Sequence, residues 1–421
     1  MTREMKDSGV EWIGEIPKHW EISKIGAHYI ERNEKVSDLD YEPLSVTKDG
    51  VVPQLETAAK SSDHNNRKLV LKDDFVINSR SDRKMSAGIA YSNGSVSVIN
   101  TVIYSNSMSK EYTKYLLKNY SFAEEFYRWG SGIVADLWST RWDKMKNISI
   151  PIPDIDEQVK IGKKLDTIIK KIDSIINETK LSIEEFKRYK QSIITETVTK
   201  GLKSDVEMES VDREEIKYHP KHWTLSKIKY HVEIDPSKHE HLCKLPSEAT
   251  FLPMNKLKNG FIINTEKDKT EKLENKYTYF AEGDIVIAKV RPSFENGNIA
   301  VAKNLLNKTG FGTSEIFVLR NKDKGVIQEF LFYFLRNDIF IQYGSSSMTG
   351  VAGLQRVSTN FIMNYPIAVP PLEEQLEIVN YLNYKIKQID KLITKKVKAI
   401  EELENYKKSL IYEYVTGKRE V

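Results

Sequence analysis

Pro17-Lys18-His19-Trp20 is followed, 203 residues later, by Pro220-Lys221-His222-Trp223. After one further residue, each copy continues with an apolar residue and then Ser-Lys-Ile. Both copies also end alike, with Tyr-Lys-Gln-Ser-Ile-Ile-Thr-Glu from Tyr189 and Tyr-Lys-Lys-Ser-Leu-Ile-Tyr-Glu from Tyr406. A repeat of this length is far longer than a solenoid unit. The duplication therefore predicts two related domains that present two related surfaces.

The composition is that of a globular protein of two or three domains. The chain has 421 residues, of which 40% are hydrophobic and 10% are aromatic. Its 64 Lys and Arg against 60 Asp and Glu permit nucleic-acid binding only if the charges are segregated on one face. Cys243 is the only cysteine, so no internal disulfide can form. Without a signal core or an apolar run of about 18 residues, we expect a cytoplasmic protein.

Each copy combines a mixed part with a long helical part. Short β-rich runs such as Asp74–Asn78 and Gly283–Ala288 alternate with helix-like segments such as Glu111–Arg128 and Val326–Tyr343. Two further stretches, at about 157–199 and 373–415, have helical periodicity and no interior proline. We therefore expect domain boundaries at 1–152, 153–203, 204–370 and 371–421.

The long stretches carry apolar residues at spacings of four and three, which predicts a heptad seam. Thr179 and Lys396 make the middle of this seam weak. The predicted fold is α+β, with two similar α/β domains separated by two long helices that form an antiparallel coiled coil with pseudo-two-fold symmetry. The predicted seam residues are Ile161, Leu165, Ile168, Ile172, Ile175, Phe186 and Ile193 in the first stretch and Ile378, Leu382, Ile389, Leu392, Leu403 and Leu410 in the second.

These motifs, in this order, resemble those of specificity subunits of type I restriction-modification systems. The opening Val-Glu-Trp-Ile-Gly-Glu-Ile-Pro-Lys-His-Trp of residues 10–20 is similar to the start of such subunits. So are the proline-rich segments at 151–153 and 370–372, which run into Glu157-Gln158 and Glu374-Gln375. The second copy lacks the Trp-Ile-Gly segment, which makes the start of that domain harder to place.

The resemblance implies a role for each part of the chain. In that family the two heads are target recognition domains, and each reads one half of a bipartite, asymmetric double-stranded DNA target. The helices act as a ruler and dock two modification (methyltransferase) subunits, which restriction subunits then join. S-adenosylmethionine, ATP and Mg²⁺ are expected on those partners, and neither catalysis nor a cofactor is expected on this chain.

DNA binding requires cations for phosphates and planar or amide side chains for base edges. Two loops that follow equivalent strands offer such residues, and we align Asp74 with Asp284 and Arg80 with Arg291. The polar stretch before each long helix is a second source, and early loops are a weaker third. The predicted contacts are Arg80, Ser81, Arg83, Lys84, Arg141 and Lys48 in the first head and Lys289, Arg291, Ser293, Ser346, Gln355, Arg356, Asn255 and Lys256 in the second.

Two other classes of function remain open. Asp74, Asp82 and Lys84 have the residue types of a metal-dependent nuclease, although the second copy has Glu295-Asn296-Gly297 where that motif should recur. A purely structural coiled-coil adaptor is the third possibility, but it would not need two β-rich heads with cationic loops. His239, His241 and Cys243 have ligand-like character, yet a structural zinc site needs four ligands, and we interpret them as a surface loop.

Overall fold

The computed structural model describes residues 3–57, 64–132, 138–238, 245–263, 266–322, 325–351 and 355–421. Contacts divide the chain into two units. Unit 1 contains residues 1–180 and 397–421, and unit 2 contains residues 181–396. Each unit therefore holds one head and a part of each long helix. The four boundaries expected from the sequence stay predictions, and His239, His241 and Cys243 lie outside the described residues.

The first half of the chain forms short strands and helices before one very long helix. The strands are β1 (Met5–Asp7), β2 (Glu15–Pro17), β3 (Glu21–Lys24), β4 (Ile30–Glu31), β5 (Lys35–Val36), β6 (Leu44–Thr47), β7 (Gly50–Pro53), β8 (Arg67–Val70), β9 (Phe75–Asn78), β10 (Ala87–Ile89), β11 (Gly94–Ser97), β12 (Asn100–Tyr104) and β13 (Ser149–Ile152). The helices are α1 (Ile25–His28), α2 (Lys110–Leu116), α3 (Tyr120–Arg128), α4 (Trp142–Met145) and α5 (Ile155–Lys200).

The second half repeats this style. The strands are β14 (Met208–Ser210), β15 (Tyr218–Pro220), β16 (Thr224–Lys227), β17 (Val232–Ile234), β18 (Glu248–Leu252), β19 (Glu266–Lys269), β20 (Thr278–Ala281), β21 (Ile285–Ala288), β22 (Ile299–Val301), β23 (Thr309–Gly312), β24 (Ile316–Asn321) and β25 (Pro366–Val369). The helices are α6 (Thr270–Leu273), α7 (Gln328–Phe334), α8 (Asp338–Ser346), α9 (Thr359–Asn364) and α10 (Leu372–Val415).

Each head is built on a four-stranded antiparallel sheet. Its order is β10-β9-β12-β4 in unit 1 and β17-β24-β21-β22 in unit 2, so β9 and β21 hold equivalent central places. A second sheet packs nearby, β11-β8-β5 in unit 1 and the mixed β19-β18-β23-β20 in unit 2. All residues of β9 and β21 are buried, as expected for continuous apolar strands at the centre of a core.

Two smaller pairings recur in both units. A hairpin precedes each Pro-Lys-His-Trp motif, β1 with β2 and β14 with β15. The strand that follows the motif then pairs with the strand that enters the long helix, β3 with β13 and β16 with β25. The second hairpin forms although this copy lacks the Trp-Ile-Gly segment, so the domain starts in the same way without it.

The long helices run antiparallel within each unit. In unit 2, Lys190 on α5 pairs with Asp390 on α10 at 2.6 Å, and the ammonium of Lys396 lies 5.8 Å from the ring centre of Phe186. In unit 1, Asp173 on α5 pairs with Lys407 on α10 at 2.6 Å. The predicted α+β fold with two antiparallel long helices is thus confirmed. Within the described ranges, no helix has an apolar stretch of membrane-spanning length.

The buried face of the helices differs from the predicted heptad seam. Most predicted residues are buried or partly buried, but Ile175 is 49% exposed and Leu392 is 43% exposed, and Ile169 and Ile176 are buried in place of Ile168 and Ile175. Buried isoleucines recur every 11 residues, at 161, 172, 183 and 194 on α5 and at 378, 389 and 400 on α10. Eleven residues make three turns of about 3.67 residues, so a nearly straight helix keeps this face inward, whereas a heptad drifts by about 20° per repeat.

Candidate nucleic-acid interface

The repeated motif of unit 1 ties its head to both long helices. Trp20 is fully buried, and its indole Nε1 donates to Glu157 Oε2 on the first turn of α5 over 2.8 Å. His19 Nε2 lies 3.2 Å from the same carboxylate, which Arg3 also contacts. At the opposite end of the other helix, Gly417 has a positive φ of 72° and no room for a Cβ beside Pro17 and Trp20. One motif therefore holds the start of α5 and the end of α10.

Unit 2 repeats this arrangement with the helices exchanged. Trp223 Nε1 donates to Glu374 Oε2 at the start of α10 over 3.1 Å, and His222 Nε2 lies 2.8 Å from the same oxygen. Gly201, with a φ of 80°, ends α5 against Trp223 and Glu374. We call each set of motif, glutamate and glycine a clamp. The clamps explain why Glu157 and Glu374 recur in the sequence.

The glutamine after each clamp glutamate binds the backbone of the head. Gln158 is buried, accepts from Ser109 N over 2.9 Å and donates to Pro153 O over 3.0 Å. Gln375 is also buried, accepts from Ile327 N over 2.7 Å and donates to Pro370 O over 2.8 Å. Both amides therefore satisfy buried backbone groups where the head meets the helix, which gives the Glu-Gln repeat a structural role.

With the scaffold held in this way, the predicted DNA-contact stretches of the first head lie side by side. Ser81 N donates to Trp138 O over 3.0 Å, and Thr140 N donates to Ser79 O over 2.9 Å. Ser139 also exchanges two backbone hydrogen bonds with Ser131, at 3.0 and 3.1 Å. The loop after β9 and the stretch before α4 therefore form one crossing of extended backbone, which the sequence had not joined.

The second head has the same crossing with different side chains. Arg291 N donates to Gln355 O over 3.1 Å, Val357 N donates to Lys289 O over 3.0 Å, and Arg356 exchanges two backbone bonds with Thr349. Matching these bonds to those of unit 1 pairs Ser81 with Arg291 and Ser139 with Arg356. The predicted alignment of Arg80 with Arg291 is therefore wrong by one residue. The two loops have matching backbone hydrogen bonds, but the arginine stands one position later in the second loop than in the first. The structural counterpart of Arg80 is Val290.

An open groove of about 650 Å³ lies beside the crossing of the first head. Arg80 and Arg141, both predicted contacts, line it together with Ser79 and Ser139. The groove also contains five cationic or amide residues that the sequence analysis missed, since they come from separate short strands and loops without a common motif. These are Asn33, Lys35, Asn66, Lys68 and Asn100.

Amides and cations in one groove are suited to base edges and phosphates. Asn100 is 5% exposed; its amide nitrogen donates to Ser97 O over 3.0 Å, while its Oδ1 has no hydrogen-bond partner in the described part of the chain. Lys68 pairs with Glu31 at 3.0 Å. Among the residues that the structure describes, no carboxylate lies within 4.0 Å of the guanidinium of Arg80 or of Arg141. Arg80, Arg141 and the exposed Lys35 are therefore the cations of the groove that no carboxylate of the described residues neutralises.

The remaining cations of this loop already have acidic neighbours. Arg83 lies 3.4 Å from Asp82, and Lys84 pairs with Glu124 at 3.1 Å. Lys48 is exposed in the turn between β6 and β7, outside the residues that line the groove. All three side chains are exposed, so ion pairs of this kind contribute little stability and can be exchanged for a phosphate.

In the second head the predicted cations are paired internally. Arg356 forms a bidentate pair with Glu315 at 2.7 and 2.8 Å, which lowers the pKa of that carboxyl. Arg291 lies 3.0 Å from Glu295 and donates to Gln355 Oε1 over 2.7 Å. Lys289 lies 3.6 Å from Asp235 and over the ring of Phe317. DNA binding at this crossing would therefore require phosphates or base edges to replace these acceptors.

Four predicted residues of the second head lie outside its crossing. Ser293 follows the loop of Arg291, and Ser346 ends α8, where its hydroxyl donates to Gln342 O over 3.0 Å. Asn255 and Lys256 lie in a 3₁₀ turn at Met254–Lys256, where Asn255 is exposed and Lys256 is half-buried. Their role in DNA contact stays a prediction.

The acidic residue before each central strand forms a buried ion pair. Asp74 is 2% exposed and accepts from Arg32 at 2.7 and 3.1 Å, and Asp284 is 3% exposed and accepts from Arg320 at 2.8 and 2.7 Å. Breaking such a pair would cost about 3–5 kcal/mol. The carboxylate of Asp74 is thus occupied, and no group of three His, Cys, Asp or Glu side chains in the described ranges is placed to hold a metal ion. This geometry does not support the nuclease alternative.

Comparison with known proteins agrees with the resemblance seen in the sequence. Residues 233–402 match the type I restriction modification DNA specificity domain. The EcoAI specificity subunit of Escherichia coli is 38% identical over 134 residues, which are 31% of this chain and 23% of that protein. A Methanocaldococcus jannaschii chain, assigned as the type I restriction enzyme MjaX specificity subunit, is 24% identical over 96% of this chain and 95% of its own length.

Solved structures share the fold of the whole chain. A chain from a study of complex assembly and conformational transition in the type I R-M system superposes with a TM-score of 0.70 over 95% of this chain and 98% of its own, at 13% identity. The HsdS subunit of Thermoanaerobacter tengcongensis gives a TM-score of 0.54 over 96% and 98%, at 15% identity. The resemblance to type I specificity subunits that the sequence predicts is confirmed.

Proposed function

We propose that this chain, a relative of type I specificity subunits, is the DNA sequence-recognition subunit of a type I restriction-modification complex. The observation that carries the proposal is the crossing of two extended segments that recurs in both heads with different side chains. In the first head this crossing borders a groove with Arg80 and Arg141. In the second head it presents Arg291, Gln355 and Arg356.

The differences between the crossings favour a bipartite, asymmetric target. Direct readout depends on which donors and acceptors meet the base edges. Ser81 and Ser139 in the first head correspond to Arg291 and Arg356 in the second, so matched backbone positions carry a hydroxyl in one head and a guanidinium in the other. Two heads of this kind read two different half-sequences.

The same proposal assigns the chemistry to partner chains. Two modification subunits would supply S-adenosylmethionine and methylation, and restriction subunits would supply ATP- and Mg²⁺-dependent cleavage. This division of labour rests on the resemblance. The buried Arg32–Asp74 pair agrees with it, because that pair leaves the proposed nuclease residue without a free carboxylate.

Methylation mapping tests the proposal directly. DNA from cells that carry this chain with its modification subunit should be methylated at one bipartite sequence, and cells that carry the modification subunit alone should lack that pattern. Methylation at the same sequence in both strains would overturn the proposal.

Arg80→Ala and Arg141→Ala test the groove. A base contact should cost about 1–3 kcal/mol of binding and relax specificity at one position of one half-site. A phosphate contact should instead weaken binding to all sequences and reduce the salt dependence. Lys72→Ala, an exposed position outside the groove, is the matched control. Unchanged affinity in both arginine variants would place the DNA elsewhere on this head.

A further inference from the structure

Unit 2 contains a buried arginine that has no acidic partner among the residues that the structure describes. Arg336 is 5% exposed, and its Nε and Nη2 both donate to Asn259 Oδ1, at 3.2 and 2.7 Å. Its guanidinium carbon lies 4.8 Å from the ring centre of Phe332 and 5.9 Å from that of Tyr333. Gly260, with a φ of 97°, lets the backbone approach this guanidinium closely. An amide and two aromatic faces therefore hold the cation, and none of them neutralises it.

The environment of Arg336 penalises its charge. Burial lowers its pKa from the ordinary arginine value, although Tyr333 and Asp390 raise it. Among the described residues, no carboxylate lies within 4.0 Å of the guanidinium, and Asp390 itself pairs with Lys190 at 2.6 Å. A buried charge without a paired counter-charge is costly. An anion bound at this point would remove that cost.

Arg336 lines a groove of about 720 Å³ that is bordered by α5, α7 and α10 within unit 2. Lys187, Lys190 and Lys303 surround it, against two acidic residues, Glu329 and Asp390. The rest of the groove is largely apolar or aromatic, with Phe261, Phe332, Tyr333, Ile386 and Ile393. It is therefore a concave, mostly apolar groove with an excess of positive charge.

Unit 1 has a cation at the matched position. Lys118 directly precedes Asn119, the N-cap of α3, as Arg336 directly precedes Asn337, the N-cap of α8. Burial lowers the pKa of Lys118 to about 8, with Asp49 opposing the shift and two other lysines adding to it. Both units thus place a basic side chain where the head meets the long helices, buried at Arg336 and partly buried at Lys118, and burial disfavours the charge in each.

One matched neighbour of the two cations is exchanged, an aspartate at 166 in unit 1 for an asparagine at 383 in unit 2. In unit 1, Tyr115 Oη donates to Asp166 Oδ1 over 2.7 Å, and Lys114 pairs with the same carboxylate at 2.6 Å. In unit 2, Tyr333 Oη donates over 2.7 Å to Asn383 Oδ1, an amide of the same shape without the charge. The unit 2 groove therefore lacks the carboxylate that unit 1 has at this place.

We propose that the Arg336 groove binds an acidic side chain of a partner polypeptide, together with an apolar neighbour of that side chain. The partner is the modification subunit, so this inference rests on the proposed function. A DNA duplex presents its phosphates on a hydrated convex surface and would leave the apolar floor uncovered. Arginine and aromatic residues in a concave pocket are typical of protein–protein hot spots.

Asn383→Asp is the sharpest test, because it adds a carboxylate to the groove and keeps an acceptor for Tyr333. The affinity of the purified full-length variant for the modification subunit should fall by about tenfold or more. Lys303→Glu, at the exposed rim of the groove, should also weaken that affinity. The matched control, Lys276→Glu on the exposed surface of the same head, should leave it within about twofold of the wild type.

DNA affinity of the free chain is measured on the same variants. A loss of DNA affinity with unchanged partner affinity would identify a phosphate as the occupant and overturn the inference. Unchanged values in both assays would also overturn it and leave Arg336 a structural residue. If the wild-type chain itself fails to bind the modification subunit, the proposed function fails as well, whereas wild-type binding with unaffected variants overturns the groove alone.

Discussion

In unit 1, Trp20 donates to Glu157 over 2.8 Å, and in unit 2, Trp223 donates to Glu374 over 3.1 Å. A histidine lies beside each glutamate, and a glycine with positive φ ends the opposite helix. At the loop crossings the backbone bonds also match, but the side chains do not. The two copies of the duplicated chain therefore agree in the clamps and in the backbone of the crossings, which form the scaffold. They differ in the side chains that the crossings carry.

The same distinction applies to the helices. The interhelical pair of Asp173 with Lys407 in unit 1 corresponds to that of Asp390 with Lys190 in unit 2, since residues 217 apart carry the same side chain. An exposed ion pair of this kind is worth little by itself. Its recurrence shows that both units pair the helices in the same register, and the exchange of Asp166 for Asn383 is a local change on that common frame.

The largest expected effect comes from lengthening the scaffold while both heads are kept. In this variant, two 11-residue repeats are inserted after Lys180 in α5, and two more after Lys396 in α10. The insertions should preserve the buried face of each helix and lengthen each helix by about 33 Å, close to one turn of DNA. Affinity for the original target should fall by about 10³-fold or more, and a spacer longer by about 10 base pairs should restore it. Methylation mapping reports the spacer.

A single 11-residue repeat is the control for this experiment. It adds about 16 Å, or half a turn of DNA, so the two half-sites would face opposite sides and no spacer should restore binding. A variant with two repeats that still methylates the original spacing would show that the helices do not set the distance between half-sites.

Next in size is the loss of a clamp. Trp20→Ala and Trp223→Ala should each destabilise the unit that contains the mutation by about 3–5 kcal/mol, because each removes a buried indole and leaves a cavity. The more conservative Trp→Phe changes keep most of the packing and lose the bond to the glutamate, so they should cost about 1–2 kcal/mol. Chemical denaturation measures all four. If the two Trp→Ala variants lose amounts of unfolding free energy that differ by more than about 2 kcal/mol, the clamps are not equivalent.

A smaller effect should follow from releasing the paired cation of the second crossing. Glu315→Gln removes the negative charge of the carboxylate that forms a bidentate pair with Arg356 and so raises the positive potential of this crossing. DNA affinity should rise, and the slope of log affinity against log salt should steepen by about one unit. Glu271→Gln, on the exposed helix α6, is the matched control and should leave the slope unchanged. An unchanged slope in Glu315→Gln would place Arg356 away from the DNA.

The smallest expected effect is on the pH dependence of stability and comes from the clamp of unit 1. Burial raises the pKa of Glu157, but hydrogen bonds from Arg3, Trp20 and His19 outweigh it, so the folded-state pKa lies below the ordinary value. A lowered pKa contributes stability that is present above the unfolded-state pKa, and this contribution is lost as the pH falls through the folded-state pKa, below the ordinary glutamate value. Glu157→Gln should therefore flatten the acid limb of the stability curve of unit 1. If the variant loses stability at low pH as steeply as the wild type, the acid sensitivity comes from other carboxyl groups.

Much of the fold follows from the sequence because duplication and periodicity are local patterns. The repeated motif predicts two heads, and the long apolar periodicity predicts helices that the structure places at Ile155–Lys200 and Leu372–Val415. The predicted seam was wrong at Ile175 and Leu392, because the heptad and the 11-residue repeat share their first positions and diverge only over several turns. Burial distinguishes the two repeats, and the sequence alone does not report burial.

The candidate interface was predictable only in part. Charged loops after β9 and β21 could be recognised from their position after buried strands. Their alignment was off by one residue, because it matched the arginines Arg80 and Arg291, whereas the backbone hydrogen bonds match Ser81 with Arg291. The amides of the first groove come from separate segments, and no spacing joins Asn33 with Asn66 and Asn100. The sequence showed that the clamp residues recur, but it did not show that the tryptophan of each motif donates to the glutamate of a long helix.

By itself, the sequence determined that this protein has two related α+β heads, two long helices and matched motifs at their junctions, since these depend on order and periodicity along the chain. Only the tertiary structure decided which residues meet: that Trp20 binds Glu157, that two loops cross beside Arg80, and that Arg336 is buried with no carboxylate of the described ranges paired to it. The physical reason is that hydrogen bonds and charge burial depend on distances between residues far apart in the chain, and one sequence records no such distances.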